Sequence, residues 1–384
     1  TDDFWTWREE MYRLVRLVEP EDIEAITAQL AIEMLKHGYT SMAEFHYLHN
    51  DRDGKPYEDR AELAHCIVSG ASAAGMALTL LPVLYAHGGF GHRPLSPAQR
   101  RFQSDPAAIF EILRELQQFH FPSPLLRLGV APHSARAIDA LLLTETVQLA
   151  TSFDATMPIH MHVSEQQGEV SECVSTHGTT PLQWIAELVP LDSRWTLIHA
   201  THLTGLEMRR AAEAGACIGL CPTTEANLGD GIFDFLPWFE RNGAWGIGGD
   251  SHVSVSPFEE LRALEYSQRL RMRVRVVASE EERPDVAANL WNAAAAGGAQ
   301  SIGQPVGVLE SGRRADLVVL DGDDVDFERL DASQRLAVAM FSGNSNRVRD
   351  VFVGGRTVIE QGQHPDEDQA QDAYRGALSR LRAP

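Results

Sequence analysis

Apolar and polar positions alternate in a repeating rhythm from Pro20 onward. Short apolar runs, typical of buried strands, are each followed by apolar residues spaced three or four apart, which is the spacing of one helix face. The predicted strands are 39–48, 76–86, 125–133, 158–164, 195–202, 217–223 and 244–250. The predicted helices are 3–18, 21–37, 60–74, one from about 106, 138–153, 181–189, 206–214, 235–241, 257–271 and 284–296.

Strands that alternate with helices predict βαβ units and a parallel sheet covered by helices. The rhythm contains seven such strands, whereas a closed (β/α)₈ barrel has eight. A doubly wound open sheet accommodates seven strands, but it places its ligand at one switch point. Here, polar residues capable of chemistry follow many strands. We therefore predict an α/β fold, a TIM-type barrel that lacks its first strand.

The rhythm changes beyond Gly297. Segments 315–321 and 348–361 are strand-like, a Gly354-Gly355 pair predicts a turn, and 366–381 predicts a closing helix. We expect two domains, an N-terminally incomplete barrel over residues 1–300 and a small β-rich appendage with a closing helix over 301–384.

Composition excludes some classes of protein. The chain carries 33 basic and 54 acidic residues, a formal charge of −21, which argues against a nucleic-acid partner because phosphate binding needs a basic face. A small anionic substrate needs only a few local arginines. Four cysteines without a C-x-x-C pair are typical of reduced thiols in a cytoplasmic protein. No apolar run is long enough to span a membrane.

Polar residues recur at the carboxyl ends of the predicted strands, where barrels place their active sites. They are Glu44, His46, Tyr47, Tyr85, His87, His133, Arg136, His160, His162, Glu165, His199, His202, Thr223, Thr224, Glu225, Asp250 and His252. His160 and His162 are two apart on a strand and point to one face. They suit a metal ligand beside the proton carrier Glu165, or else a buried hydrogen-bonded pair. The whole pattern favours a metal-assisted hydrolytic site.

Several motifs resemble those of the amidohydrolase superfamily. They are H-M-H-V-S-E at 160–165, L-I-H-A-T-H at 197–202 and G-I-G-G-D-S-H at 246–252. Five further segments are similar to the formimidoylglutamate deiminases, one family within it: F-W-T-W-R-E-E-M-Y-R at 4–13, A-E-F-H-Y at 43–47, H-S-A-R-A at 133–137, T-E-A-N-L-G-D-G-I-F at 224–233 and G-R-R-A-D-L-V-V-L-D at 312–321. The resemblance implies hydrolysis of N-formimino-L-glutamate to N-formyl-L-glutamate and ammonia, in histidine degradation.

The resemblance also implies a role for individual residues. His162 and Asp250 are expected to hold one divalent metal, most simply Zn²⁺, and Glu165, His199 and Asp250 to form the catalytic set. Arg8, Tyr47, His133 and Arg136 are expected to bind the substrate. On spacing alone, Arg8 is better explained as a surface cation stacked on a neighbouring aromatic ring.

One departure from the family concerns its first barrel strand, which ends in H-x-H and supplies two further metal ligands. No H-x-H precedes Arg8 in this chain, and the N-terminal half of the family's β-sandwich domain is also missing. We therefore expect the chain to be an incomplete copy that binds metal weakly, since a catalytic zinc uses about three protein ligands.

Two other functions stay open at this level. One is an amidohydrolase that deaminates an aminated heterocycle. The other is a metal-free, inactive protein, if the chain begins natively at Thr1. A homodimer is expected because it is the commonest assembly of soluble enzymes.

Overall fold

A computed structural model of the chain describes the backbone of residues 4–382 and the side chains of residues 10–382. The strands are β1 (Ser41–His46), β2 (Ala77–Leu84), β3 (Leu126–Leu128), β4 (Ala131–Pro132), β5 (Ile159–Val163), β6 (Trp195–His199), β7 (Cys217–Leu220), β8 (Trp245–Ile247), β9 (Leu317–Leu320), β10 (Val348–Val353) and β11 (Arg356–Ile359). The helices are α1 (Phe4–Val15), α2 (Pro20–Lys36), α3 (Glu62–Ala73), α4 (Pro106–His120), α5 (Ala140–Phe153), α6 (Gln167–His177), α7 (Pro181–Leu188), α8 (Gly205–Glu213), α9 (Pro222–Leu228), α10 (Phe235–Phe239), α11 (Pro257–Met272), α12 (Val286–Ile302), α13 (Ala332–Phe341) and α14 (Glu367–Leu381).

The first eight strands run parallel in chain order. β1 pairs with β2, and β2 pairs with both β3 and β4. A bridge between Val130 and Ile159 leads to β5, which continues through β6 and β7 to β8. Within residues 4–382, β1 and β8 are each paired on one side only. This order confirms the predicted series of βα units, with all strand carboxyl ends at one face.

Burial explains why these segments are strands rather than helices. Every residue of β2, β5 and β6 is buried, as expected for parallel strands covered by helices on one side and by barrel interior on the other. The predicted strand 125–133 is divided into β3 and β4 at Gly129. A Cβ atom there would lie 2.5 Å from Leu81 Cδ2 and 2.9 Å from the Pro158 carbonyl oxygen, so only glycine fits.

Most covering helices begin at a recognisable cap. Asp105 and Asp139 accept hydrogen bonds from backbone N–H groups in the first turns of α4 and α5, at 2.8 and 3.0 Å. Thr204 and Glu207 form a capping box at α8. None of the described helices is both long and apolar enough to cross a bilayer.

The C-terminal strands form a separate antiparallel sheet in the order β11-β10-β9. This sheet and α14 pack against α2, and Val351 shares a hydrophobic core with Ile32 and Leu35. An Arg380–Asp22 ion pair ties α14 to α2. The C-terminal sheet thus contributes to the same hydrophobic core as α2.

Three helices are absent from the prediction: α6, α9 and α13. α6 and α9 follow β5 and β7 almost directly, and each is short. Their first turns carry polar residues needed at the strand ends, which hides the apolar spacing of a helix face.

Candidate active site

Side chains from successive strand ends meet at one face of the parallel sheet. His162 projects from β5 and His199 ends β6, with their ring centroids 5.6 Å apart. Phe45 of β1 contacts the rings of both His160 and His162, at 5.8 and 4.9 Å between centroids, which confirms that the two histidines share one side of β5.

His199 lies at the centre of a cluster of carboxylates. Its Nε2 atom is 3.7 Å from Glu165 Oε1 and 4.0 Å from Asp250 Oδ2, and its Nδ1 atom is 3.2 Å from Glu225 Oε1. The His199 side chain is 1% exposed, whereas that of Asp250 is 40% exposed. Three predicted residues, Glu165, His199 and Asp250, are therefore brought together at an opening to solvent.

These neighbours determine the protonation states of His199 and Asp250. Burial by itself lowers the pKa of His199, but Glu165, Glu225 and Cys221 outweigh it and hold the pKa well above the ordinary value. Desolvation raises the pKa of Asp250, and the charges of Glu165 and Glu225 add to this effect against the opposing influence of His199. The pair therefore combines an imidazolium with a carboxylate that is more basic than an ordinary aspartate.

His162 has the features of a metal ligand. Burial, followed by the charge of His199, lowers its pKa to about 3, so the imidazole is neutral. Its Nδ1 atom lies 3.2 Å from the His133 carbonyl oxygen, which leaves Nε2 as the nitrogen available to a metal. A neutral imidazole and the Asp250 carboxylate are a donor set that fits zinc or a similar divalent ion.

A second group of donor atoms lies beside this pair. His199, Cys221 and Glu225 are all buried, and one donor atom from each lies within 4.8 Å of the others. Glu225 Oε1 also accepts a hydrogen bond from the Cys221 backbone N–H at 2.9 Å, and burial raises the pKa of the Cys221 thiol to about 12. A protonated thiol and an engaged carboxylate make this group a support that orients His199.

Three of the predicted substrate-binding residues lie beside His162 and Glu165. The ring of His133 stacks on that of His162, with centroids 4.8 Å apart and planes 20° apart, and Tyr47 packs against His133 at 5.6 Å. Arg136 NH2 is 3.6 Å from Glu165 Oε2. The side chain of Arg8 lies outside the described residues.

The backbone is strained where the strands end. His199 and Asp250 have φ angles of 62° and 45°, a left-handed conformation that is costly for residues with a Cβ atom. Ser164, between His162 and Glu165, has a φ of 53°. These turns rotate successive side chains toward the same opening.

Some residues of the cluster were not assigned a role from the sequence. Glu169 Oε2 accepts a hydrogen bond from the Glu165 backbone N–H at 2.9 Å, and Glu225 contacts His199. Asp230 hydrogen-bonds to Gln166, and desolvation raises its pKa to about 7. Glu225 and Asp230 lie in the 224–233 motif, so the sequence indicated them as candidates. Their partners could not be predicted, because their positions depend on α9, which was not predicted.

Comparison with known proteins adds to this geometry. The model of the amidohydrolase family matches residues 1–358. The chain belongs to the amidohydrolase family. This amidohydrolase is 48% identical to a formimidoylglutamate deiminase of Pseudomonas aeruginosa, in a match that covers 99% of the chain and 83% of that protein. It is 28% identical to a 5-methylthioadenosine/S-adenosylhomocysteine deaminase of Natronomonas pharaonis, over 93% of the chain and 75% of that protein.

Solved structures agree on the fold. An amidohydrolase from Brucella melitensis superposes with a TM-score of 0.92 at 40% identity, covering 99% of this chain and 83% of that one. A zinc-bound adenosine deaminase from Xanthomonas campestris superposes with a TM-score of 0.82 at 21% identity, covering 100% and 81%. The predicted TIM-type architecture is thereby supported at the level of the fold.

Proposed function

We propose that this amidohydrolase uses a bound divalent metal, zinc in the simplest case, to hydrolyse N-formimino-L-glutamate to N-formyl-L-glutamate and ammonia. The observation that carries the proposal is the convergence of Glu165, His199 and Asp250 beside His162, with Arg136 at its edge. The 48% identity to a formimidoylglutamate deiminase supports the choice of substrate.

The reaction adds water to the amidine carbon and expels its terminal nitrogen. His162 and Asp250 would hold the divalent metal, whose charge would lower the pKa of the attacking water. Asp250 accepts a proton from the attacking water, since desolvation raises its pKa above that of an ordinary aspartate. His199, protonated at neutral pH, donates a hydrogen bond to the oxygen that becomes the formyl oxygen. Both protons of the water end on the terminal nitrogen: Asp250 returns the first, and Glu165 takes the second from the new hydroxyl and delivers it as the C–N bond breaks, so that the nitrogen leaves as ammonia.

In this proposal, the substrate's two carboxylates are bound by the arginines and hydrogen-bond donors beside His162 and Glu165. Arg136 is held beside Glu165, where its guanidinium can pair with a carboxylate of the substrate. Tyr47 and His133 pack in the same group of rings and offer hydrogen-bond donors. Arg8 is the second cation in this proposal.

The finer architecture belongs to the same proposal. β1 and β8 each present one unpaired edge within residues 4–382. Because β3 and β4 are two parts of one strand, these residues supply seven barrel strands, and one further parallel strand between β1 and β8 would make a closed eight-stranded barrel. An H-x-H sequence at the end of that strand supplies the remaining metal ligands. We also place the enzyme in the cytoplasm as a homodimer; the four free cysteines support the first of these statements.

Ammonia release from N-formimino-L-glutamate by the full-length protein tests the activity. We expect His162→Ala and Asp250→Ala each to reduce kcat by at least about 100-fold, because each removes a metal ligand and Asp250→Ala also removes the proton acceptor. Bound metal, measured by elemental analysis, falls in both variants.

His160→Asn is the matched control. His160 lies on the same strand but hydrogen-bonds through Nε2 to the Ser301 carbonyl oxygen at 2.8 Å, and it is 1% exposed. This variant is expected to lower stability while it retains bound metal. Undiminished turnover in His162→Ala or Asp250→Ala would rule out the proposed site.

A further inference from the structure

A second cluster of metal-binding side chains lies away from the catalytic residues. It consists of His87, which follows β2, His92 on the next loop, and Asp139, which precedes α5. One donor atom from each lies within 4.8 Å of the other two. The proposed hydrolysis assigns no role to any of the three.

The distances in this cluster are close to those of a coordination shell. His87 Nε2 is 3.4 Å and His92 Nδ1 is 3.8 Å from the same atom, Asp139 Oδ2. Ligand atoms at about 2.0–2.1 Å from a tetrahedral zinc ion are about 3.4 Å apart. The two distances from Asp139 to the histidines are therefore within a few tenths of an ångström of the separation of two zinc ligands. The two imidazole rings lie side by side, with centroids 4.6 Å apart and planes tilted by 46°.

The carboxylate is already oriented for this role. Asp139 Oδ1 accepts a hydrogen bond from the Leu142 backbone N–H at 3.0 Å and caps α5, which directs Oδ2 toward the imidazoles. A hydrogen bond of this kind to a ligating carboxylate fixes its direction and strengthens metal binding.

The two histidines are held by their backbones. The His87 N–H donates to the Ala137 carbonyl oxygen at 2.8 Å, which places His87 beside the α5 cap. His92 has a φ of 57°, and the loop before it is closed by a hydrogen bond from the Gly88 N–H to the Arg93 carbonyl oxygen at 2.8 Å. The loop thus presents the His92 ring in a defined, strained conformation.

We propose that His87, His92 and Asp139 bind a divalent transition metal, with zinc as the representative ion, at a site distinct from the catalytic one. Two imidazoles and one carboxylate match zinc, nickel or copper better than calcium or magnesium, which prefer oxygen ligands. The His92 side chain is 67% exposed, so the site has open positions for water. Metal at this position ties the 88–93 loop to the start of α5.

Another cluster of the same composition is a matched control. His65 Nδ1 is 2.7 Å from His120 Nε2, but its opposite nitrogen, Nε2, is the atom 3.4 Å from Asp59 Oδ2. Because His65 uses different ring nitrogens for its two partners, these three groups cannot all ligate one ion. The two clusters contain the same residue types but differ in geometry. Comparing them therefore tests whether geometry, rather than composition, determines metal binding.

Titration of the full-length protein with Zn²⁺, against a competing chromophoric chelator, tests the proposal. The wild-type protein is expected to bind one equivalent of Zn²⁺ at this site. His92→Ala and Asp139→Asn are expected to bind that equivalent at least about tenfold more weakly, which is the smallest loss typical for a partner of a metal site. Asparagine retains the cap of α5, so Asp139→Asn separates metal binding from folding. His65→Ala and His162→Ala are expected to keep this equivalent.

Three outcomes would overturn the proposal. The first is a wild-type protein with no such equivalent. The second is unchanged affinity in His92→Ala and Asp139→Asn. The third is an equivalent that disappears with His162→Ala, because it then belongs to the catalytic site. If the wild-type protein binds this equivalent of Zn²⁺ but does not hydrolyse N-formimino-L-glutamate, only the proposed hydrolysis is refuted.

Discussion

His199 shows how one side chain takes its properties from its neighbours. Its two ring nitrogens face different carboxylates, Glu225 at Nδ1 and Glu165 at Nε2. The first contact fixes the ring, and the second holds the proton that the proposed reaction uses. A histidine with 1% exposure and no such partners would be neutral, as His160 is: burial lowers the pKa of His160 to about 4.

Glu260 on α11 hydrogen-bonds to the first turn of α9, the helix that carries Glu225. Its side chain is fully buried, and it accepts hydrogen bonds from Thr223 N–H at 3.0 Å and Thr223 Oγ1 at 2.6 Å, which joins α11 to the start of α9. Desolvation, reduced by these hydrogen bonds, raises its pKa to about 8. The folded protein therefore keeps the carboxyl protonated at neutral pH.

This shift predicts a pH dependence of stability. The folded pKa of Glu260 lies above the unfolded value of 4.5, so its contribution is fully present below pH 4.5 and is lost as the pH rises toward 8. Between pH 5 and pH 8 the loss is on the order of 3 kcal/mol. Glu260→Gln imitates the protonated form and is expected to abolish this loss of stability between pH 5 and pH 8. Denaturant unfolding at both pH values measures the difference.

Glu259→Gln is the control for this experiment, because it neutralises the adjacent carboxylate on the same helix. The charge of Glu259 is the smallest of the named causes that raise the pKa of Glu260, so this variant is expected to keep most of the wild-type pH dependence. Equal slopes of stability against pH in wild type and Glu260→Gln would show that Glu260 is ionised in the folded protein.

At the scale of elements, α12 and β8 approach each other unusually closely. Gly297 on α12 lies against the backbone of Trp245, where a Cβ atom would be 1.9 Å from the carbonyl oxygen. Gly246 on β8 faces Gly298 in the same contact. Gly297 and Gly246 thus let a helix backbone rest on a strand backbone, and β8 leads directly to Asp250.

Two neighbouring substitutions test this contact. Gly297→Ala is expected to cost at least about 1–3 kcal/mol, because the backbone of β8 must move. Gly298→Ala has no atom within 4 Å of its new Cβ and is expected to stabilise the helix by up to about 1 kcal/mol. Thermal unfolding compares them. A Gly297→Ala protein as stable as Gly298→Ala would contradict the packing described.

The elements also show what a sequence can predict. Periodicity was enough for all seven strands of the rhythm, because each is a short, largely apolar run bounded by polar residues, and β2, β5 and β6 are buried along their whole length. It missed α9, whose residues Thr223, Thr224 and Glu225 serve the site rather than a helix face. The contacts Glu165–Glu169 and His199–Glu225 depend on α6 and α9, so they required the structure. The division into two domains and the assignment of each site residue stay predictions.

At the scale of the whole molecule, the chain is acidic and its substrate is proposed to be an anion. A formal charge of −21 repels such a substrate at long range, so recognition must be local. Arg136 is the arginine described at the site. Its side chain is 19% exposed, and the charges of Glu169 and Glu165 raise its pKa against the effect of burial. Ring-deaminating relatives make a neutral heterocycle the rival substrate.

Substrate selectivity of Arg136→Met tests the central claim most directly. The measurement is the ratio of kcat/KM for N-formimino-L-glutamate to that for a formimino compound without carboxylates. Because Arg136 also contacts Glu165, damage to the acid affects both substrates and cancels in the ratio. We predict that the ratio falls by about 10- to 100-fold, the value of a hydrogen bond to a charged group. An unchanged ratio, together with rapid deamination of an aminated purine, would contradict the account.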